Sequence, residues 1–159
     1  MAAATRIRGR ESTAAIGFRR PVLLATLGVS FAPEACAVAV DAAVESGCDL
    51  IIANIVELPP LPMSVRMGYD QLEETDEVAG SLRAPAELAC SLGVRVERLR
   101  VRSPRPVAAL LELVAERAAG LLVFGPDPKR LRRRTYRKAA RAISDRAPCL
   151  VWLAPDLRR

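Results

Sequence analysis

Five short apolar runs punctuate the chain, and the stretches between the later ones repeat their apolar residues every three or four positions. The first run, Pro21-Val22-Leu23-Leu24-Ala25-Thr26-Leu27, is continuous and stops at Gly28. A run without polar alternation predicts a strand buried on both faces. Asp49 to Glu57 has the same character and predicts a second such strand. The third run, Val94 to Arg102, is polar, and its apolar residues change phase from Val94 and Val96 to Leu99 and Val101. That predicts an edge strand with a bulge or twist. Leu121 to Phe124 ends at Gly125, and Leu150 to Leu153 follows Ala147-Pro148-Cys149; these are the fourth and fifth strands.

The intervening stretches predict helices. Ser30 is placed to cap the first, with Pro33 and Glu34 in its opening turn, and Gly47 ends it after Ser46. Its alanines permit close packing on a sheet. A proline-rich loop follows the second strand, with Pro59, Pro60 and Pro62, and it also holds Met63 and Met67. About Gln71 to Leu92 is helical in pattern and ends at Gly93, with a kink or break expected at Pro85. Ser103 and Pro104 open a third helix with the stripe Val107, Leu110, Leu111, Val114 and Ala118. A fourth carries Leu131, Thr135, Ala139, Ala142 and Ile143 on one face. Strand–helix alternation of this kind predicts an α/β domain: a parallel sheet with helices on both faces, and ligands at the carboxyl ends of its strands.

At 159 residues the chain has room for one domain with a full core. Residues 21–155 are expected to form it, residues 1–20 a disordered basic tail, and residues 156–159 a C-terminal tail. No stretch approaches the roughly 18 apolar residues of a membrane span, and the start has no apolar run of signal-peptide length, so the cytoplasm is the expected compartment. There is no histidine, which removes Ser-His and Cys-His catalysis and most zinc chemistry. Cys36, Cys48, Cys90 and Cys149 form no CxxC pair and are expected to be buried, reduced thiols.

Charge changes the picture. Residues 21–128 carry eight cations and fifteen anions, net −7, although the whole chain is +6. The basicity is local to the tail and to one block, Lys129 to Arg141, where eight of thirteen residues are cations. That block follows the fourth strand, where α/β folds place phosphates. It holds no glycine to let backbone amides wrap one. Asp127 stands between Pro126 and Pro128, a turn setting. Asn54, inside the second strand, needs a hydrogen-bond partner, expected to be structural.

In order and spacing the chain resembles the universal stress protein family over about Pro21 to Pro155. The resemblance rests on the first strand ending near Gly28-Val29-Ser30, on Ala118-Ala119-Gly120-Leu121-Leu122-Val123-Phe124-Gly125, and on Ala147-Pro148-Cys149 before an apolar terminal strand. It implies an open, Rossmann-like five-stranded sheet of the adenine nucleotide alpha hydrolase type, in the order 3-2-1-4-5. It also implies a homodimer paired through the last strand, Leu150 to Leu153. ATP-binding members of the family carry Gly-x2-Gly-x9-Gly-Ser/Thr after strand four. Here Gly125 matches the first glycine, Pro128 replaces the second, and the Gly-Ser pair falls on Arg137-Lys138 or Lys138-Ala139. The aspartate that the family places after strand one is Leu27 here.

Three readings follow. The first is a regulatory, non-enzymatic homodimer of the stress response that acts on a protein partner and takes no cofactor, not holding ATP in the family manner. The second is a module for ATP, another adenine nucleotide or another phosphate ligand, with Lys129, Arg130, Arg137 and Lys138 neutralising phosphates and Thr26 and Gly125 lining the floor. The third is a polyanion site on the block 129–141. Nucleic acid is disfavoured there because Tyr136 is alone among nearby aromatics and the body is acidic. A solvated basic face accounts for Arg132, Arg133 and Arg134.

Overall fold

The computed structural model describes residues 19–59 and 76–154. Most of the basic tail, the proline-rich loop beyond Pro59 with Met63 and Met67, the predicted start of the second helix at Gln71, and residues 155–159 lie outside the described residues. Five strands are present: β1 (Val22–Thr26), β2 (Leu50–Glu57), β3 (Val96–Ser103), β4 (Leu121–Phe124) and β5 (Leu150–Leu153). Four helices separate them: α1 (Pro33–Ser46), α2 (Asp76–Ser91), α3 (Pro106–Glu116) and α4 (Arg133–Arg146). The sheet is all parallel in the order β3-β2-β1-β4-β5. β1 and β4 meet at its centre, so their carboxyl ends flank the switch point.

The continuous apolar runs have the predicted cause. Val22 and Leu24 of β1 and Leu50 and Ile52 of β2 pack under α1 and α2, while Leu23, Ala25, Ile51 and Ile55 pack under α3 and α4. Burying each such Val, Leu or Ile side chain contributes about 1.5–3 kcal/mol. α1 approaches closely because Ala35, Ala39 and Ala43, four residues apart, form its buried face. Gly47 ends α1 in the left-handed region, at φ 62° and ψ 32°, and Cys48 N donates to Ala43 O.

Four expectations are corrected. β3 has no bulge: its register with β2 runs unbroken from Val96 opposite Leu50 to Ser103 opposite Glu57. The phase change is one regular strand lending residues to two cores, Val94 and Val96 to one face and Leu99 and Val101 to the other. Of the kink or break expected at Pro85, the break is absent: α2 is continuous through it. Pro85 is buried, and Leu82, Ala86 and Ala89 anchor both sides of it in the core, so packing outweighs one lost helical bond. Ser30 does not cap α1, whose N-cap is Ala32 with no side-chain bond. Pro104 does not open α3, which begins at Pro106; Ser103 Oγ instead accepts from Arg105 N at 3.1 Å, holding the turn before the helix.

Among the described residues, no helix is long and apolar enough to cross a membrane. The four cysteines are unpaired, and where buried thiols were expected Cys36, Cys48 and Cys149 are half-buried and Cys90 is exposed. Burial pushes the Cys36 thiol up to about 11, against a backbone hydrogen bond that acts the other way. Burial also raises the Cys149 thiol above its ordinary value.

Candidate functional site

The switch point is built from two loops tied together by their backbones. After β1 the chain turns through Gly28, whose φ of +68° favours glycine. Gly28 N donates to Asn54 Oδ1 at 2.8 Å, and Asn54 Nδ2 donates to Val29 O and Ser81 Oγ, each at 3.3 Å. The buried Asn54 thus clamps this loop to β2 and α2, the structural role expected of it. The loop then meets the one after β4. Ala32 N donates to Gly125 O at 2.9 Å, Asp127 N donates to Ser30 O at 2.8 Å, and Phe31 pairs with Pro126. This pairing fixes Ser30 by its carbonyl and explains why it is not a cap.

The loop after β4 turns on Asp127. Lys129 N donates to Asp127 Oδ1 at 2.9 Å, and Arg130 N and Leu131 N both donate to Asp127 O at 3.0 Å. Gly125 N donates to Ala25 O at 3.0 Å. From Gly125 to Leu131, every amide is therefore either engaged inside the protein or, at Pro126 and Pro128, absent. A phosphate needs several converging amides to be cradled by backbone, and this segment offers none. Gly125 has a packing reason instead: a Cβ there would lie 1.9 Å from Ala35 Cβ of α1.

The basic block is a turn followed by a helix. α4 starts at Arg133, with Arg132 at its N-cap and no side-chain cap bond. Tyr136 holds it down: its ring stacks on Phe124 with centroids 5.8 Å apart, and its hydroxyl donates to Ala154 O. Tyr136 is thereby committed to the core rather than to a base.

A cleft of ≈ 510 Å³ opens between α3 and α4 at the carboxyl edge of the sheet. Leu27, Val107, Ala139 and Ala142 give it an apolar floor, and Arg105, Arg134, Lys138 and Arg146 surround it, with Glu57 as the one carboxylate among the described residues that line it. Of the residues expected to form a phosphate site, Lys138 alone lines this cleft. Arg137 faces a shallow depression on the outer side of α4, together with Lys138, Arg141 and Asp145. Lys129 and Arg130 are exposed on the Asp127 turn. Gly125 is buried under α1.

Thr26 does not line the floor. It is fully buried, and alternation places it with Val22 and Leu24 on the α1–α2 face, opposite the cleft. Its Oγ1 has no hydrogen-bond partner among the described residues. The neighbour Leu27 takes the floor position instead. Arg105, Arg146 and Glu57 were missed; the carboxyl-end rule pointed at the turn after β3, where Arg105 lies.

The family model described as Universal stress protein family matches residues 19–155. The chain belongs to the universal stress protein family. No curated protein matches it. Among solved structures, this universal stress protein is similar to the universal stress protein UspA from Lactobacillus plantarum, with TM-score 0.64 and 15% identity over 87% of this chain and 100% of that one. It is similar to a universal stress protein from Archaeoglobus fulgidus in complex with dAMP, with TM-score 0.60 and 14% identity over 85% and 97%. A third, a universal stress protein in complex with cAMP, gives TM-score 0.61 and 24% identity over 86% and 97%. These likenesses establish the Rossmann-like fold. The loop after β4 does not fit a nucleotide held by a backbone cradle, and Leu27 supplies no carboxylate beside it.

Proposed function

We propose that this universal stress protein is a non-enzymatic regulatory homodimer of the stress response, in the cytoplasm, that binds a protein partner and does not hold ATP in the family manner. One observation carries the reading: the amides from Gly125 to Leu131 are engaged internally or missing. Leu27 supports it, since a leucine cannot accept a hydrogen bond from a ribose hydroxyl. The absence of histidine supports the non-enzymatic part.

The test is calorimetric titration with ATP, ADP, AMP and cyclic AMP at low and high salt. The expected result is no saturable micromolar binding. Saturable ATP binding abolished by Lys129→Ala or Lys138→Ala would overturn the reading. A second reading, a phosphate ligand held by cationic side chains, is favoured by Lys138 sharing one cleft with Arg105 and Arg134.

The homodimer is proposed through β5. That strand is at the sheet edge, and Leu150 is 76% exposed. An open apolar edge favours pairing with another strand. Truncation after Cys149 is expected to give a monomer by analytical ultracentrifugation, with Val151→Pro as a subtler variant that leaves the chain length intact. A dimer that survives both would contradict the interface.

A further inference from the structure

We propose that the cleft between α3 and α4 binds a small amphiphilic anion, a carboxylate or phosphate monoester head on a short apolar body. The proposal deepens the preceding section's reading of the carboxyl edge and rests on it, because it leaves head-group recognition to side chains. The cleft volume of ≈ 510 Å³ falls within the roughly 300–1,000 Å³ of small-ligand sites.

The two halves of the cleft differ in chemistry. Its floor is hydrocarbon, from Leu27, Val107, Ala139 and Ala142, and the alanines of α4 are what leave the space open. Its rim brings cations from separate elements: Arg105 from the turn before α3, and Arg134, Lys138 and Arg146 from α4. Among the described residues none of these four makes an ion pair. Three ion pairs, Arg95–Asp49 and Arg117–Glu97 near the opposite end of the strands and Arg141–Asp145 on α4, use other residues. Several unneutralised cations around one apolar hollow match an anionic head joined to an apolar body. Glu57 opposes a large negative charge, which favours a small head over a polyphosphate. The floor is hydrocarbon, and the side-chain acceptors lining the cleft are Glu57 and Thr135, so a hydrocarbon or aromatic body matches the floor better than a ribose does.

The test is titration calorimetry of the full chain with octyl phosphate, octanoate, octanol and inorganic phosphate. Octyl phosphate or octanoate is expected to bind saturably at one site, at least about tenfold more tightly than octanol or inorganic phosphate. The double variant Arg105→Gln/Lys138→Gln is expected to weaken it by about tenfold or more, and added salt to weaken it in the wild type. Ala142→Trp, which fills the floor from a half-buried position, is expected to abolish binding while circular dichroism shows the fold retained. The proposal is overturned if neither amphiphile binds more tightly than its separate head and tail analogues, or if both variants bind like wild type while folded. ATP binding that shifts the amides of residues 125–131 would overturn the reading of the loop without touching this cleft. Absence of amphiphile binding together with absence of ATP binding overturns this proposal alone.

Discussion

Thr26 and Gly125 both sit at the switch point, and neither lines the cleft between α3 and α4. Thr26 has a fully buried hydroxyl without a partner among the described residues, and such a group costs about 1–3 kcal/mol. Thr26→Val keeps the shape and removes the hydroxyl, so it is expected to raise unfolding stability by about 1 kcal/mol in urea denaturation. Gly125 is held by the 1.9 Å approach of a would-be Cβ to Ala35. Gly125→Ala is expected to destabilise by about 1–3 kcal/mol, because α1 must move off the end of β4. Composition showed both residues at the right place along the chain. What it could not show was which face of β1 Thr26 takes, and a shift of one residue exchanges Thr26 for Leu27 at the cleft.

At the scale of elements, the existence and order of the strands were legible because β1, β2 and β4 are buried on both faces and so lack polar alternation. Helix starts were less legible. Ser30 and Ser103 carry capping side chains, yet the backbone pairing of two loops and the turn at Arg105 override them. β3 is the edge strand its polarity predicts, but its change of phase comes from a strand serving two cores at its two ends, which looks like a bulge. The site was only partly legible, since Arg105 and Lys138 are remote in sequence and meet only through the packing of α3 beside α4. α4 itself begins badly. Arg132 occupies the N-cap without a cap bond, and Arg133 and Arg134 place cations at the positive end of the helix dipole. Arg132 already has extended backbone angles, φ −63° and ψ 136°, which aspartate adopts readily. Arg132→Asp is expected to stabilise the protein by about 1 kcal/mol, read as a higher melting temperature.

The whole molecule keeps the family's frame and changes what the frame presents. The sheet order, the switch point and the terminal strand follow the universal stress protein pattern. The amides of the loop after β4 point inward: two prolines remove amides, Asp127 gathers three, and β1 and the loop after it take those of Gly125 and Asp127. The acidic body, net −7 over residues 21–128, carries a basic block that lies partly on a turn, partly on an outer helix face and partly in a cleft. This arrangement fits the proposal that the protein, although it shares a fold with relatives solved with dAMP or cAMP, does not hold a nucleotide by backbone amides of this loop.

The most direct test of that account is the backbone amide NMR spectrum of Gly125 to Leu131 during addition of ATP. Amides already bonded to Ala25, Ser30 and Asp127 are expected to keep their shifts up to millimolar nucleotide. Saturating shifts across Gly125, Asp127, Lys129 and Arg130 would show that the loop opens to hold phosphate, and would contradict the central claim.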